Sequence, residues 1–494
     1  MRTSINFVTT VWLLFFSLNS FATEYSFQQL SPQLPINGAG TIHGDNKSTD
    51  TTFLRGPGKG PLSVISSNPS PLYGTPAVCP TLLVRSDFNV MALCTAYTGV
   101  PVAKIFAADG SRSLGELQIT TGNLLGGVYA YLDKLDRLVL VDGTHNLVAI
   151  AYDQHLGLSI DSSIPLADAV TGHCGGHISC DGVVSISPSK RHHTWFATQR
   201  SVIGVVNKRN GTIGTIQLAP DEFIANSFST TRNNFASVVT NKALYLLKAE
   251  RVRIGNKWTM QPVIRWRHEY DAGLGRKPGQ LSHGSGATPT FFGPRHHGTK
   301  YVMITDNAFP LTSLIVRRKG RGGELVCQVP LFNASSSGTE NSAIGAQNTI
   351  IVSSTYGYPY PQLPSNAGPS IPENAAFFGG MMRIDINEAA GGCDVVWENT
   401  LASAAVPKLS TQDNLVYTVE RVGSPIPAAT DTFDFVALDV DTGYVVNRQS
   451  ITSPYLPAYL SDTLQTAGNI SANYKVYWQG TVGGFARISP LVTP

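Results

Sequence analysis

The chain has 494 residues, a net charge of +3, 42% hydrophobic residues and 14% charged ones, with 47 glycines and 30 prolines. So many apolar residues exclude a disordered chain, and the density of Gly and Pro excludes an array of helices. A charge this small on so long a chain gives no field that would favour nucleic acid or an acidic polymer as partner.

The N-terminus reads as a signal peptide spanning residues 1–22. Arg2 supplies a positive start, Phe7 to Phe21 is largely apolar around Trp12, Leu13, Leu14, Phe15 and Phe16, and Ser20-Phe21-Ala22 is a small-x-small signal that predicts cleavage after Ala22. The apolar run is shorter than the ~20 residues of a spanning helix, and no later stretch approaches that length. Export to the periplasm or the extracellular space follows, with no transmembrane segment. Residues 23–78 are rich in Pro, Gly, Ser and Asn and predict an extended or loose arm. Within it, Leu62-Ser63-Val64-Ile65-Ser66 has the pattern of a strand that could close the last unit of a ring.

From residue 79 onward short alternating strands recur every roughly forty to fifty residues. Phe435-Val436-Ala437-Leu438-Asp439 runs into a Thr442-Gly443 turn, Ile203 to Asn207 into Asn210-Gly211, and Met382 to Asn387 through Gly391-Gly392 into Cys393 to Trp397. A second β-rich element precedes each, as in Trp195-Phe196-Ala197-Thr198 and Tyr301-Val302-Met303-Ile304-Thr305. The units fall near 79–120, 126–165, 180–217, 226–267, 285–331, 341–397, 405–449 and 466–490. The expected fold is all-β: one β-propeller over residues 79–494, with about eight four-stranded blades, or seven, whose radial packing hides strand edges.

The Ala437-Leu438-Asp439 to Thr442-Gly443 stretch resembles the repeat of the quinoprotein alcohol dehydrogenase-like propellers, in which a Trp follows the Thr-Gly turn. Trp397 and Trp266 match that Trp in their own units, whereas Asn447 stands in the place after Thr442-Gly443. The resemblance implies a pyrroloquinoline quinone cofactor for the oxidoreductases of the group. The adjacent Cys-Cys pair that they carry near the quinone is absent here, which argues against PQQ.

Six cysteines in an exported chain predict disulfides. Cys79 and Cys94 flank a turn near Ser86-Asp87 and face one another; Cys174 and Cys180 can staple a loop; Cys327 and Cys393 occupy equivalent outer-strand places in neighbouring units. Zinc held by His173, Cys174, His177 and Cys180 is the alternative for the middle pair, although the spacing fits no recognised finger. The His192-His193 and His296-His297 pairs and the Arg317-Arg318-Lys319-Gly320-Arg321 run read as solvated turns.

Propeller ligands sit where inner strands begin, so the residues opening those strands are the candidates: Asp181, Asn226, Ser285, Glu340, Asn341, Lys408 and Asn469. Carboxylate and amide oxygens converging from separate loops suit Ca²⁺. The set Glu340, Asn341, Asn226 and Asp181 is similar in residue type to the axial calcium site of the regucalcin and paraoxonase class, which implies ester or lactone hydrolysis. Asp306, Asn307 and Glu222 are further ligand-facing candidates, or turn formers. Serine hydrolase chemistry lacks its Gly-x-Ser-x-Gly elbow, and Gly56 to Gly60 lacks the parts of a phosphate loop. The surviving functions are a propeller binding a small-molecule ligand or Ca²⁺, a metal-dependent hydrolase or quinoprotein-like oxidoreductase, and a non-catalytic binder of a surface glycan or protein.

Overall fold

Alternating apolar residues between Gly-, Asn- and Asp-bearing turns make antiparallel meanders, and eight such sheets are arranged as the blades of a β-propeller. The computed structural model describes residues 40–491 apart from 68, 122–128, 190–191, 296–297, 365–366, 427 and 429. The predicted signal peptide, arm residues 23–39 and the His296-His297 pair lie outside the described residues. Blades 1 to 7 span 77–118, 131–165, 183–217, 229–269, 290–330, 344–399 and 408–450. Blade 8 takes three strands from 469–490 and its outer strand from the arm: Leu62–Ser66 pairs antiparallel with Gly484–Pro490, with Val64 opposite Ile488. The count is therefore eight, and the arm latches the ring.

Burial follows strand position. Second strands such as Val90–Ala96 are covered on both faces, whereas outer strands such as Val445–Ser450 alternate between half-buried and exposed. The core is a series of layers between neighbouring blades, for example Leu83, Met91 and Ile105 of blade 1 against Leu138, Leu140 and Ile150 of blade 2. Tryptophans tie the rims. Trp266 of blade 4 donates Nε1–H to the Lys319 carbonyl of blade 5 at 3.0 Å, and Trp397 of blade 6 donates to the Val440 carbonyl of blade 7 at 2.8 Å. Gly443 lies against the Trp397 ring with φ +71°, and a Cβ there would come within 2.7 Å of the indole. Asn447, lacking an indole, instead donates Nδ2–H to the Gly58 and Gly60 carbonyls and fastens the arm on its way to blade 8.

All three predicted disulfides form. Cys79–Cys94 joins the first two strands of blade 1, Cys327–Cys393 joins the outer strands of blades 5 and 6, and Cys174–Cys180 closes the loop before blade 3. The last bond consumes the thiols that the zinc alternative required. The basic run sits at the turn between Ser313–Arg318 and Leu325–Pro330, where Arg318 pairs with Glu324 at 3.3 Å.

The arm does more than latch. Residues 40–52 lie along the inner strands: carbonyls of Gly40, Asn46, Lys47, Thr49 and Asp50 accept from the amides of Leu132, Thr230, Phe291, Gly345 and Leu409, in blades 2, 4, 5, 6 and 7. Asn46 donates to Pro188 O of blade 3 at 3.3 Å, and Asn469 of blade 8 donates to Thr41 O at 3.4 Å. Thr51–Thr52 then pairs in parallel with Lys408–Ser410. The segment braces itself through Asp45, whose Oδ1 accepts from the amides of Lys47 and Thr49. Ser48 and Asp50 take left-handed φ of +57° and +51°, a conformation costly for non-glycine residues and sustained here by the surrounding bonds.

At its centre Asp50 is fully buried. Its carboxylate accepts from Lys408 Nζ at 2.8 Å, His43 Nδ1 at 2.9 Å and Ser342 Oγ at 2.6 Å. Burial alone would raise the Asp50 carboxyl, but His43 and Lys408 hold it down at about 2. Its stabilising contribution is thus present above the ordinary carboxylate range and is lost as pH falls toward 2. Lys408→Met, which strands the carboxylate, is expected to cost about 3–5 kcal/mol in denaturant unfolding, and the Asp50→Asn/Lys408→Met pair to cost less than that single change.

Candidate functional site

In an antiparallel meander, the loops into each inner strand and those between second and third strands emerge on one face, here called upper. The opposite face has short hairpins such as 85–89 and 208–211. The upper face carries the long loops, among them 270–289 before blade 5 and 354–380 within blade 6. The first is anchored to the loop within blade 5 by Asn307 and sewn to the second by a backbone bond. Asn307 Nδ2 donates to Ala272 O at 2.8 Å and Gly275 O at 2.9 Å, and Ile371 N–H donates to Arg276 O at 2.7 Å. Gly279, at φ +83°, touches the Thr355 carbonyl so closely that a Cβ would fall 1.8 Å from it.

Between them opens a cavity of about 580 Å³ lined by Arg276, Tyr358, Tyr360, Leu363, Glu373 and Ile426. Tyr358 and Tyr360 meet edge to face with ring centroids 4.8 Å apart, and Tyr358 donates its hydroxyl proton to Asp462. Burial, reinforced by Asp462 at both rings and by Glu340 at Tyr360, pushes both phenols well above their ordinary range, so they remain neutral donors. Arg276 is only 6% exposed. Its Nε donates to Gly368 O at 3.2 Å and Nη1 to Gln280 O at 2.8 Å.

Of the four residues predicted to share an axial metal, the structure brings two into contact. Asn226 Nδ2 donates to Glu340 Oε1 at 2.9 Å, while its Oδ1 accepts from the Tyr129 hydroxyl. Asn341 turns to Ser353 Oγ and Gln465 Oε1, at 3.2 and 2.9 Å. Asp181 accepts from the amides of Gly182 and Arg200 and pairs with His173 at 3.2 Å. Among the described residues no three carboxylates, histidines or cysteines gather in the manner of a metal site. Glu340 is nonetheless distinctive. Burial pushes its carboxyl up to about 7 against the opposing effects of the Leu281 amide, Asn226 and Arg276.

The other candidates hold the scaffold. Lys408 serves Asp50. Glu222 is buried and joins Arg267 Nη2 at 2.7 Å and Thr240 Oγ1 at 2.6 Å. Asp306, raised to about 6 by burial, caps its turn through the amides of Ser313 and Ala308, and Asn307 anchors the 270–289 loop. Ser285 lines a second cleft of about 420 Å³ with Arg200, Phe223, Asn241 and His283. Arg276, Tyr358 and Tyr360 carried no motif in the sequence. The available signal was the long tyrosine- and proline-bearing interval between Ser353 and Met381.

No family model matches the sequence, and no curated protein does. Among solved structures, the quinohemoprotein alcohol dehydrogenase of Comamonas testosteroni aligns with 93% of this chain and 82% of its own at TM-score 0.53 and 10% identity. The likeness is one of fold. BamB from Moraxella catarrhalis aligns with 87% of this chain and 99% of its own, at TM-score 0.46 and 11% identity, and the WD40 domain of SCAP from fission yeast with 87% and 98%, at 0.44 and 9%. A likeness of fold at 10% identity assigns no function, so the chain's own side chains must supply the functional argument.

Because the Glu340 carboxyl is raised, its ionisation opposes folding, and stability falls as pH climbs from the ordinary carboxylate range through about 7. Glu340→Gln removes that penalty. Its unfolding free energy is expected to match wild type near pH 4 and to exceed it by up to about 3 kcal/mol at pH 8, as read by urea titration at the two pH values.

Proposed function

We propose that this propeller binds a small ring-bearing molecule in the upper-face cavity between 276–279 and 357–376. The carrying observation is a concave site of about 580 Å³, within the ~300–1,000 Å³ typical of ligand pockets, with tyrosine rings and a few polar groups on its wall. Tyr360 offers a half-buried ring for stacking, Leu363 and Ile426 offer apolar area, and Arg276 and Glu373 offer the charges that fix orientation. The arm fills the inner end of the ring, so the upper face is where loops from separate blades converge on open space. The cavity wall offers groups that hold a ligand rather than a nucleophile set beside a base, which favours binding over chemistry. Three disulfides support a working place outside the reducing cytosol, in keeping with export.

A calcium-dependent ester or lactone hydrolase is the second reading, favoured by the contact between Glu340 and Asn226. A melting temperature raised by millimolar calcium in wild type, and unmoved in Glu340→Gln, would bring it forward.

The test of the first reading is a thermal-shift screen with small aromatic and sugar-ring fragments. Ala375→Trp, which places a large ring in the cavity, and Tyr360→Ala are expected to weaken every hit by about tenfold or more while the protein stays folded. Fragments that bind both variants as they bind wild type would place the site elsewhere.

A further inference from the structure

Resting on the cavity as a ligand site, we infer that Arg276 is its oxyanion subsite, and that the ligand is a small ring-bearing carboxylate or phosphate monoester. Arg276 carries a charge with no contact counter-ion among the described residues. Arg276 is almost wholly buried, yet among the described residues no carboxylate stands within ion-pairing distance of its guanidinium. A buried cation without a counter-ion is costly; of the other buried cations Lys408, Arg421 and Lys104 each have one, in Asp50, Asp431 and Glu116, while Lys277 and Arg487 are held by neutral oxygens as Arg276 is.

The group is also set in place before any ligand arrives. Two of its nitrogens are bound to main-chain carbonyls, of Gly368 and Gln280, and its own carbonyl accepts from Ile371. These bonds join the 270–289 and 354–380 loops and leave Nη2 without a partner among the described residues, on a side chain that lines the cavity. A fixed planar fork of this kind suits carboxylate or phosphate oxygens better than a mobile surface cation does.

The neighbouring residue is a buried cation as well. Lys277 is buried, and its Nζ donates to Ala308 O at 2.6 Å, Thr312 Oγ1 at 2.9 Å and Ser337 O at 3.0 Å, with no carboxylate at ion-pairing distance among the described residues. Lys277 follows Arg276 in the chain, but its ammonium is taken up by these oxygens and only Arg276 of the two lines the cavity. Of the acidic groups around them, Asp306 and Asp271 act on Lys277, whereas near Arg276 Asp462 is engaged by Tyr358, Glu373 is exposed at the rim and Glu340 holds its proton up to about neutral pH. The cavity volume leaves room for a ring against Tyr360 beside the bound oxyanion.

The experiment is calorimetric titration of the full chain with three probes of similar shape: benzoate, phenyl phosphate and neutral benzyl alcohol. Wild type is expected to bind one of the two anions at least about tenfold tighter than benzyl alcohol, and Arg276→Gln to abolish that difference while keeping the alcohol affinity. Which anion wins separates the carboxylate from the phosphate source. Benzyl alcohol binding as tightly as both anions, or an anion preference that survives in Arg276→Gln, would overturn the subsite and leave the cavity reading standing. No binding of any probe to wild type at about 10 mM would overturn both. Should Arg276→Gln fail to fold, the wild-type preference and its displacement by inorganic phosphate decide the matter, since phosphate competes only if an oxyanion site exists.

Discussion

The structure depends on a contact between the two ends of its history as a chain: Asp50, near the start of the described residues, buried against Lys408 in blade 7. Both groups are out of water, so each is tolerable only while the other is present. Around that pair the 40–52 segment gives its carbonyls to blade after blade, and the inner strands, whose edge would otherwise be open, receive partners. Leu62–Ser66 then completes blade 8. One stretch of arm thus fills the inside of the ring and closes its outside.

That arrangement decides where a ligand can go. With the inner strands satisfied by the chain itself, the residues opening those strands divide into two sets. Lys408 and Asn469 are claimed by the arm, whereas Glu340 and Asn226 remain together near Tyr129, within electrostatic reach of Arg276 and Tyr360. The cavity is built on loops, but on loops fixed to one another by the Arg276–Ile371 backbone bond and the Gly279–Thr355 approach, and to blade 5 by Asn307. Such bracing allows a loop-borne guanidinium to behave as part of a rigid scaffold.

Much of the fold was legible in the sequence because a propeller blade repeats a local pattern. Period-two alternation and Gly turns located the blades to within a few residues, Leu62–Ser66 was recognisable as a detached strand, and the Cys79–Cys94 pair was expected across its hairpin. The turn-side register alone would set Cys79 opposite Thr95, and a register shift between Val78 and Thr81 brings it to Cys94. The axial segment was not legible. Its Gly, Ser, Thr, Asn and Asp are the composition of a loop, and only a ring assembled from distant blades supplies the partners that let those polar groups be buried. The site divides on the same line. Glu340 and Asn226 could be singled out by their place at the head of inner strands, but the charge state of Glu340 and the lack of a contact ion pair at Arg276 among the described residues are properties of the folded interior. Asp181 shows the limit of position alone, since its carboxylate is spent on two amides and His173.

The central claim is that residues 41–52 are an integral part of the folded ring. Hydrogen exchange of the intact protein, read on peptides covering 41–52, tests it most directly. The account predicts that the amides of Gly44, Ser48, Thr49 and Asp50, each bonded within the segment, exchange as slowly as those of the buried strand Val90–Ala96. Exchange of that segment at the rate of an unstructured peptide, with the blades still protected, would contradict it.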